Sequence, residues 1–359
     1  MTIMHHPLWI AGLVVATAAG LLAMLLGTGV LYQWIGGAID RRRLRAPGRL
    51  VDIGGGRHLY LVEKGPAGPG PTVVFESGFG ATSLNWVHIQ EAMAERVHTV
   101  AYDRCGLGWS SACVSERTPR QVAAELHSLL RAAGVEPPWI LVGHSYGGLV
   151  MQRFALEYPE EVAGVVLVDP MRTDEWPPVN PEAHARIERA LRLTRVGATC
   201  ARFGMSRLAA RSHFCRSARL SGYLIRLAGE QGAYLAGRLN TEIGKMPAHI
   251  RPSIAAHWSA PRFYRGLLAH LEAVHRTVEE MHEAEPIRDT PVTVLTPAGA
   301  PAPANLHQYG PQGRHIVAER SEHWVHLDEP ELVVRMILNM VMQSAAQDRR
   351  TQAAYVAGD

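Results

Sequence analysis

Trp139-Ile-Leu-Val-Gly-His-Ser-Tyr-Gly-Gly-Leu-Val-Met-Gln-Arg-Phe-Ala155 decides the fold. A short apolar run, Trp139 to Val142, enters the pentapeptide Gly143-His144-Ser145-Tyr146-Gly147, and an apolar helical pattern leaves it. A serine between two such elements sits on a turn so sharp that its flanking residues must be small, which is the steric reason for glycine two positions to either side. The pentapeptide alone is a common pattern; the strand before it and the helix after it make Ser145 a candidate nucleophile. His144 points away from its neighbour and is expected to pack or hydrogen-bond locally.

Outward from this turn, short apolar runs alternate with helical patterns. Thr72 to Glu76, Val97 to Tyr102 and Val162 to Val168 are strand-like, while Asn85 to Arg96, Pro119 to Gly134 and Leu149 to Tyr158 are helical. That alternation predicts βαβ units and a mostly parallel sheet flanked by helices. Upstream, two alternating runs between Arg49 and Glu63 flank Gly54-Gly55-Gly56, a hairpin signature; a phosphate-binding loop would require a helix after the glycines. From Met171 to about Glu285 the pattern is helical only, and strand-like runs return at Pro291 to Thr296 and Arg314 to Ala318, with a helix from about Pro330 to Gln343.

No charged residue occurs between Pro7 and Ile39, and a bilayer core about 30 Å thick needs about 20 apolar residues in a helix. A transmembrane helix is expected at 8–35. Ala16-Thr17-Ala18 resembles a signal cleavage site, but no Lys or Arg precedes the run and the run continues well past it. Arg41, Arg42, Arg43 and Arg45 on the C-terminal flank place the large domain in the cytoplasm by the positive-inside rule, with a periplasmic or extracytoplasmic domain as the alternative.

The 359 residues suffice for one large domain plus an extra segment, and 47% hydrophobic with 19% charged residues is globular usage. The net charge of +3 comes from the arginines beside the apolar segment, so no nucleic-acid surface is expected. Cys105, Cys113, Cys200 and Cys215 have neither zinc-ligand spacing nor disulfide-scaffold density and are expected as thiols. The close histidine pairs His5-His6 and His323/His326 lack a third convergent ligand, so neither metal nor cofactor is expected.

Several motifs in order resemble the α/β-hydrolase superfamily over roughly residues 50–343: Glu76-Ser-Gly-Phe-Gly80 after the third strand, Asp103-Arg-Cys-Gly-Leu-Gly-Trp-Ser110 after the fourth, the serine turn after the fifth, and Ser321-Glu-His-Trp324 after the last. With the anchor and basic flank at 1–45, the resemblance implies core at 46–170, a helical cap at 171–285 and core again at 286–345, leaving a polar tail at 346–359. It places the general base at His323, with His326 as rival, and the oxyanion-hole N–H donors on Phe79 and Tyr146. The family's common His-Gly start of the oxyanion loop is replaced by Glu76-Ser77-Gly78, for which a loop-ordering role of Glu76 is expected. Arg104 is expected to tie loops together, Trp109 is a candidate pocket residue, and His257 and His275 are expected on the cap surface.

The acid that the family usually carries after the seventh strand is missing: Thr296 to Asn305 contains no Asp or Glu. Relatives such as haloalkane dehalogenases carry it at the end of the sixth strand, where Asp169 falls; Asp174 and then Glu175 are the alternatives. A carboxylate there would fix the histidine tautomer and stabilise its cation. A serine nucleophile excludes the aspartyl-ester chemistries of this fold, epoxide hydrolysis and dehalogenation. Acyl transfer to water on a small-molecule carboxylic ester, amphiphilic or lipid-derived, is the leading reading. Thioester, amide or carbon–carbon hydrolysis and acyltransferase activity share the machinery, and a non-catalytic ligand-binding or scaffold protein on a degenerate hydrolase fold is the alternative class. The oligomeric state is not encoded in these patterns.

Overall fold

The computed structural model describes residues 6–44, 46–112, 115–214, 243–301, 309 and 313–357; Cys113, Cys215 and part of the loop expected to lack an acid lie outside these. Gly54, Gly55 and Gly56 all take positive φ, which turns β1 (Arg49–Asp52) back on β2 (His58–Lys64) as an antiparallel hairpin with Asp52 opposite His58. The next strands, β3 (Thr72–Glu76), β4 (Thr99–Asp103), β5 (Trp139–His144) and β6 (Val162–Val168), are apolar almost throughout, as strands covered on both faces must be. With β7 (Val292–Pro297) and β8 (Arg314–Ala318) they form one sheet in the order β1-β2-β4-β3-β5-β6-β7-β8. Only β1/β2 and β2/β4 pair antiparallel; the other five pairings are parallel.

Helices cover both faces. The expected helix at 85–96 is a 3-10 turn, Ser83–Trp86, followed by α2 (Val87–Met93). Thr118 Oγ1 accepts from the Gln121 N–H to start α3 (Pro119–Ala133), and Gly134 at φ 73 ends it. On one face Leu126 and Leu130 of α3 pack with Val150 and Phe154 of α4 (Tyr146–Glu157); on the other Trp86, Ile89 and Met93 pack with Val333 and Ile337 of the C-terminal helix. Between β6 and β7 the chain inserts α5 (His184–Arg202), α6 (Met205–Phe214), α7 (Arg251–Trp258), α8 (Pro261–Glu272) and α9 (Val274–His282). After β8 come α10 (Val325–Asp328) and α11 (Pro330–Ala357). The segment expected as a polar tail is thus mostly helix: residues 344–357 carry no Pro or Gly to stop α11.

The N-terminal helix α1 runs His6–Arg43, beyond the expected 35, so Arg41, Arg42 and Arg43 form its last turn, where cations complement the helix dipole. From Trp9 onward it is long and apolar enough to cross a membrane, with a mean hydropathy of 2.3 over its most apolar window, and side chains such as Leu13 and Leu25 are exposed. Its second half docks on the insertion. Gln33 Nε2 donates to the Ser259 carbonyl at 3.2 Å, and Arg207 Nε donates to Gln33 Oε1 at 3.0 Å while its Nη1 pairs with Asp40. Gly29 and Gly36 permit this approach: a Cβ at Gly29 would meet the Phe203 carbonyl at 2.4 Å, and one at Gly36 the Arg207 side chain at 2.7 Å.

Candidate active site

Ser145 holds φ 54 and ψ −121, a conformation that a non-glycine residue adopts only when its surroundings enforce it. Here they do. Its N–H donates to the Val168 carbonyl of β6 at 3.1 Å, and its carbonyl accepts from Gly148 and Met171. A Cβ on Gly143 would lie 2.4 Å from the Gly147 carbonyl oxygen, and one on Gly147 2.6 Å from that of Glu76. The two glycines are therefore steric requirements of the turn. Ser145 is half-buried at the N-terminus of α4, whose first N–H groups have no partner within the helix.

Asp169 also holds a positive φ, 41°, with its N–H bonded to the Leu295 carbonyl at 2.7 Å, and this backbone aims its carboxylate toward the loop after β8. There Oδ2 meets His323 Nδ1 at 2.6 Å. The alternative acids face elsewhere. Arg172 Nε donates to Asp174 Oδ1 at 3.1 Å and lies 3.2 Å from Glu175 Oε1, and the Arg172 bond holds the Asp174 carboxyl below the usual range. The structure brings Asp169 to His323 and leaves Asp174 and Glu175 with an arginine.

His144 packs as expected. Its Nε2 donates to the His323 carbonyl at 2.9 Å, fixing the loop that carries His323, and burial holds its pKa well below the ordinary histidine value. His326 is neither the rival base nor a solvated cap. Its ring is fully buried between Trp86, at 4.6 Å between centroids, and His144, at 4.5 Å, and burial pushes its pKa down to about 3.

The loop after β3 is built on a buried ion pair. Glu76 Oε1 accepts from Arg104 Nη1 at 2.6 Å and from the Ser77 N–H at 2.8 Å, and Tyr102 donates to Oε2. Burial raises the Glu76 carboxyl against the pull of the Arg104 charge. Arg104 also donates to the carbonyls of Ser77 and Gly78, so its guanidinium ties the sheet end to the loop. That tie sets Gly78 against the serine: a Cβ there would lie 3.3 Å from Ser145 Cβ. Phe79 stacks on Tyr146 with centroids 4.5 Å apart, bringing the two residues expected to supply N–H donors together.

Two contributors had no role of their own in the sequence reading. Asp103 accepts from Ser83 N and Oγ at 2.8 Å and from Trp109 N at 2.9 Å, holding the loop after β4; the signal was its glycine, since a Cβ on Gly108 would fall 1.9 Å from Asp103 Oδ2. His270 of α8 lies edge-on to Tyr146 and Phe79, at 5.5 and 6.4 Å. His257, expected on the surface, instead packs edge-on against Trp109 at 4.3 Å, and burial pushes its pKa down to about 4. Covering by a loop from the sheet domain overrode the helix's own polarity. His275 is half-buried.

The family described as alpha/beta hydrolase fold matches residues 71–217, the stretch that holds β3 to β6 and the strained serine. The chain has the α/β-hydrolase fold. This α/β-hydrolase-fold chain is 38% identical to the protein YqjL of Bacillus subtilis over 105 residues, 29% of the chain and 42% of that relative, so the match spans less than half of the relative's length. Among solved structures it resembles Cfl2 from Burkholderia cenocepacia, at TM-score 0.61 and 21% identity over 82% of this chain and 95% of that one. A thermophilic esterase from Thermogutta terrifontis aligns at TM-score 0.54 and 20% identity over 83% and 99%. At these identities the two structures speak for the fold.

Proposed function

We propose that the chain is a membrane-anchored serine hydrolase that cleaves a carboxylic ester through an acyl-enzyme on Ser145. The observation that carries this is the 2.6 Å contact between Asp169 Oδ2 and His323 Nδ1, together with the strained turn that holds Ser145. With the Nδ1 proton directed at the carboxylate, His323 presents Nε2 as a proton acceptor. Ser145 Oγ attacks the ester carbonyl carbon as its proton passes to His323, and Asp169 stabilises the resulting imidazolium. The oxyanion takes hydrogen bonds from the Phe79 and Tyr146 N–H groups, each worth about 3 kcal/mol when removed from such a site. Collapse expels the alcohol with the His323 proton; water, deprotonated by His323, then attacks the acyl-enzyme and releases the acid.

In this reading the helices between β6 and β7 are a cap over the site, and α1 is a single-pass anchor that leaves the catalytic domain on the side of Arg41–Arg43. That side is the cytoplasm by the positive-inside rule. The thermophilic esterase among the structural neighbours is in keeping with ester chemistry on this fold. Turnover of p-nitrophenyl esters by the full-length chain, absent from Ser145→Ala, tests the reading; equal turnover by the two proteins rejects it.

A further inference from the structure

We infer that the cavity between α1, the insertion and the Trp109 loop is an acyl-chain site, through which a long-chain ester resident in the bilayer reaches Ser145. The inference rests on the serine-hydrolase reading above and names its substrate class. The cavity holds about 640 Å³, within the range of small-molecule sites, about 300–1,000 Å³. Most of its exposed wall is apolar, and the charged residues Asp40, Arg41, Arg202, Arg207, Arg262 and Arg265 also border it.

Three observations set its occupant. One wall is the N-terminal helix itself: residues from Val30 to Leu44 line the cavity, about 20 Å along the helix axis. A bilayer core takes about 20 helical residues. Counted from Trp9, that number is used up just before Val30, so the cavity begins where the span leaves the hydrocarbon. Trp34, an interfacial residue type, stands at this end, 68% exposed. On α6, whose Arg207 bonds Gln33 of α1, Met205 and Leu208 are also exposed and add apolar surface that would face lipid.

The third observation is at the inner end. Phe263 lines the cavity and its ring lies against Gly80, where a Cβ would meet Cε2 and Cζ at 3.3 Å. Gly80 follows Phe79, the expected oxyanion donor, so Phe263 touches both the cavity and the loop expected over Ser145. His257 also lines it, and burial keeps that ring neutral, consistent with an apolar guest. A chain entering beside α1 need not cross water, and Phe263 stands on this route.

The test uses full-length protein in phosphatidylcholine vesicles with acetyl and palmitoyl p-nitrophenyl esters. Ala256→Phe and Gly37→Leu fill the cavity from opposite walls without touching the catalytic groups. Each is expected to lower the palmitoyl-to-acetyl ratio of kcat/KM by at least about 10-fold, with acetyl turnover retained. A palmitoyl ester bearing a diazirine on its chain, given to Ser145→Ala so that it is not consumed, is expected to crosslink to 30–44 and 256–265. An unchanged ratio in both variants, or crosslinks confined to other segments, overturns the inference. If wild type hydrolyses neither ester, the serine-hydrolase reading fails on its own, and the crosslinks alone decide whether the cavity takes a chain.

Discussion

The burial of His326 makes the fold acid-sensitive by an amount that follows from its pKa. The imidazole is fully buried against Trp86 and His144, with a pKa of about 3 in place of 6.5. The native state therefore refuses a proton that the unfolded chain accepts. Because the unfolded state binds more protons, stability rises with pH between the folded and unfolded values and is lost as pH falls below about 6.5. At about 1.4 kcal/mol per pH unit, acidification from about pH 7.5 to about pH 5 costs about 2 kcal/mol through this one side chain. His326→Leu removes the proton site while keeping an apolar group against Trp86. Urea titrations of the full-length chain in detergent, followed by tryptophan fluorescence, should show the variant losing about 2 kcal/mol less than wild type over that interval. Equal acid losses in the two proteins would refute the assignment of His326 as a buried neutral group.

Asp169→Asn should lower kcat on an ester by about 10³- to 10⁴-fold, as loss of a triad carboxylate does, whereas Asp174→Asn should stay within a few-fold of wild type in the same assay. Arg104→Met leaves Glu76 buried without its cation and frees the Ser77 and Gly78 carbonyls; a loss of about 3–5 kcal/mol in chemical denaturation is expected, and a loss under about 1 kcal/mol would show that the pair does not hold the loop. The chain should remain in the membrane fraction after alkaline carbonate washing, and release by that wash would remove the anchor from the account.

What the sequence made legible was what local sterics and periodicity determine. Gly143 and Gly147 announced the serine turn because any side chain there collides with backbone, and Gly54 to Gly56 announced the hairpin because three successive positive-φ residues cannot continue a strand. Asp169 was legible through an absence, the acid-free stretch after β7, and the structure supplies the contact that distinguishes it from Asp174. What stayed hidden depends on partners far along the chain. His257 was taken for a surface residue because Trp109, nearly 150 positions earlier, covers it. The docking of Gln33 and Asp40 on Arg207 joins residues 174 and 167 positions apart, with no local pattern to announce it. The helical extension at 346–357 was lost to composition, since a polar segment without glycine or proline supports a helix as readily as a tail.

The central claim, that Ser145 is a nucleophile activated by His323, is tested most directly by labelling the folded full-length chain with a fluorophosphonate probe, which reacts only with an activated serine. Wild type should label and Ser145→Ala should not. A folded wild type that takes no label, or a Ser145→Ala protein that labels as well as wild type, would contradict it.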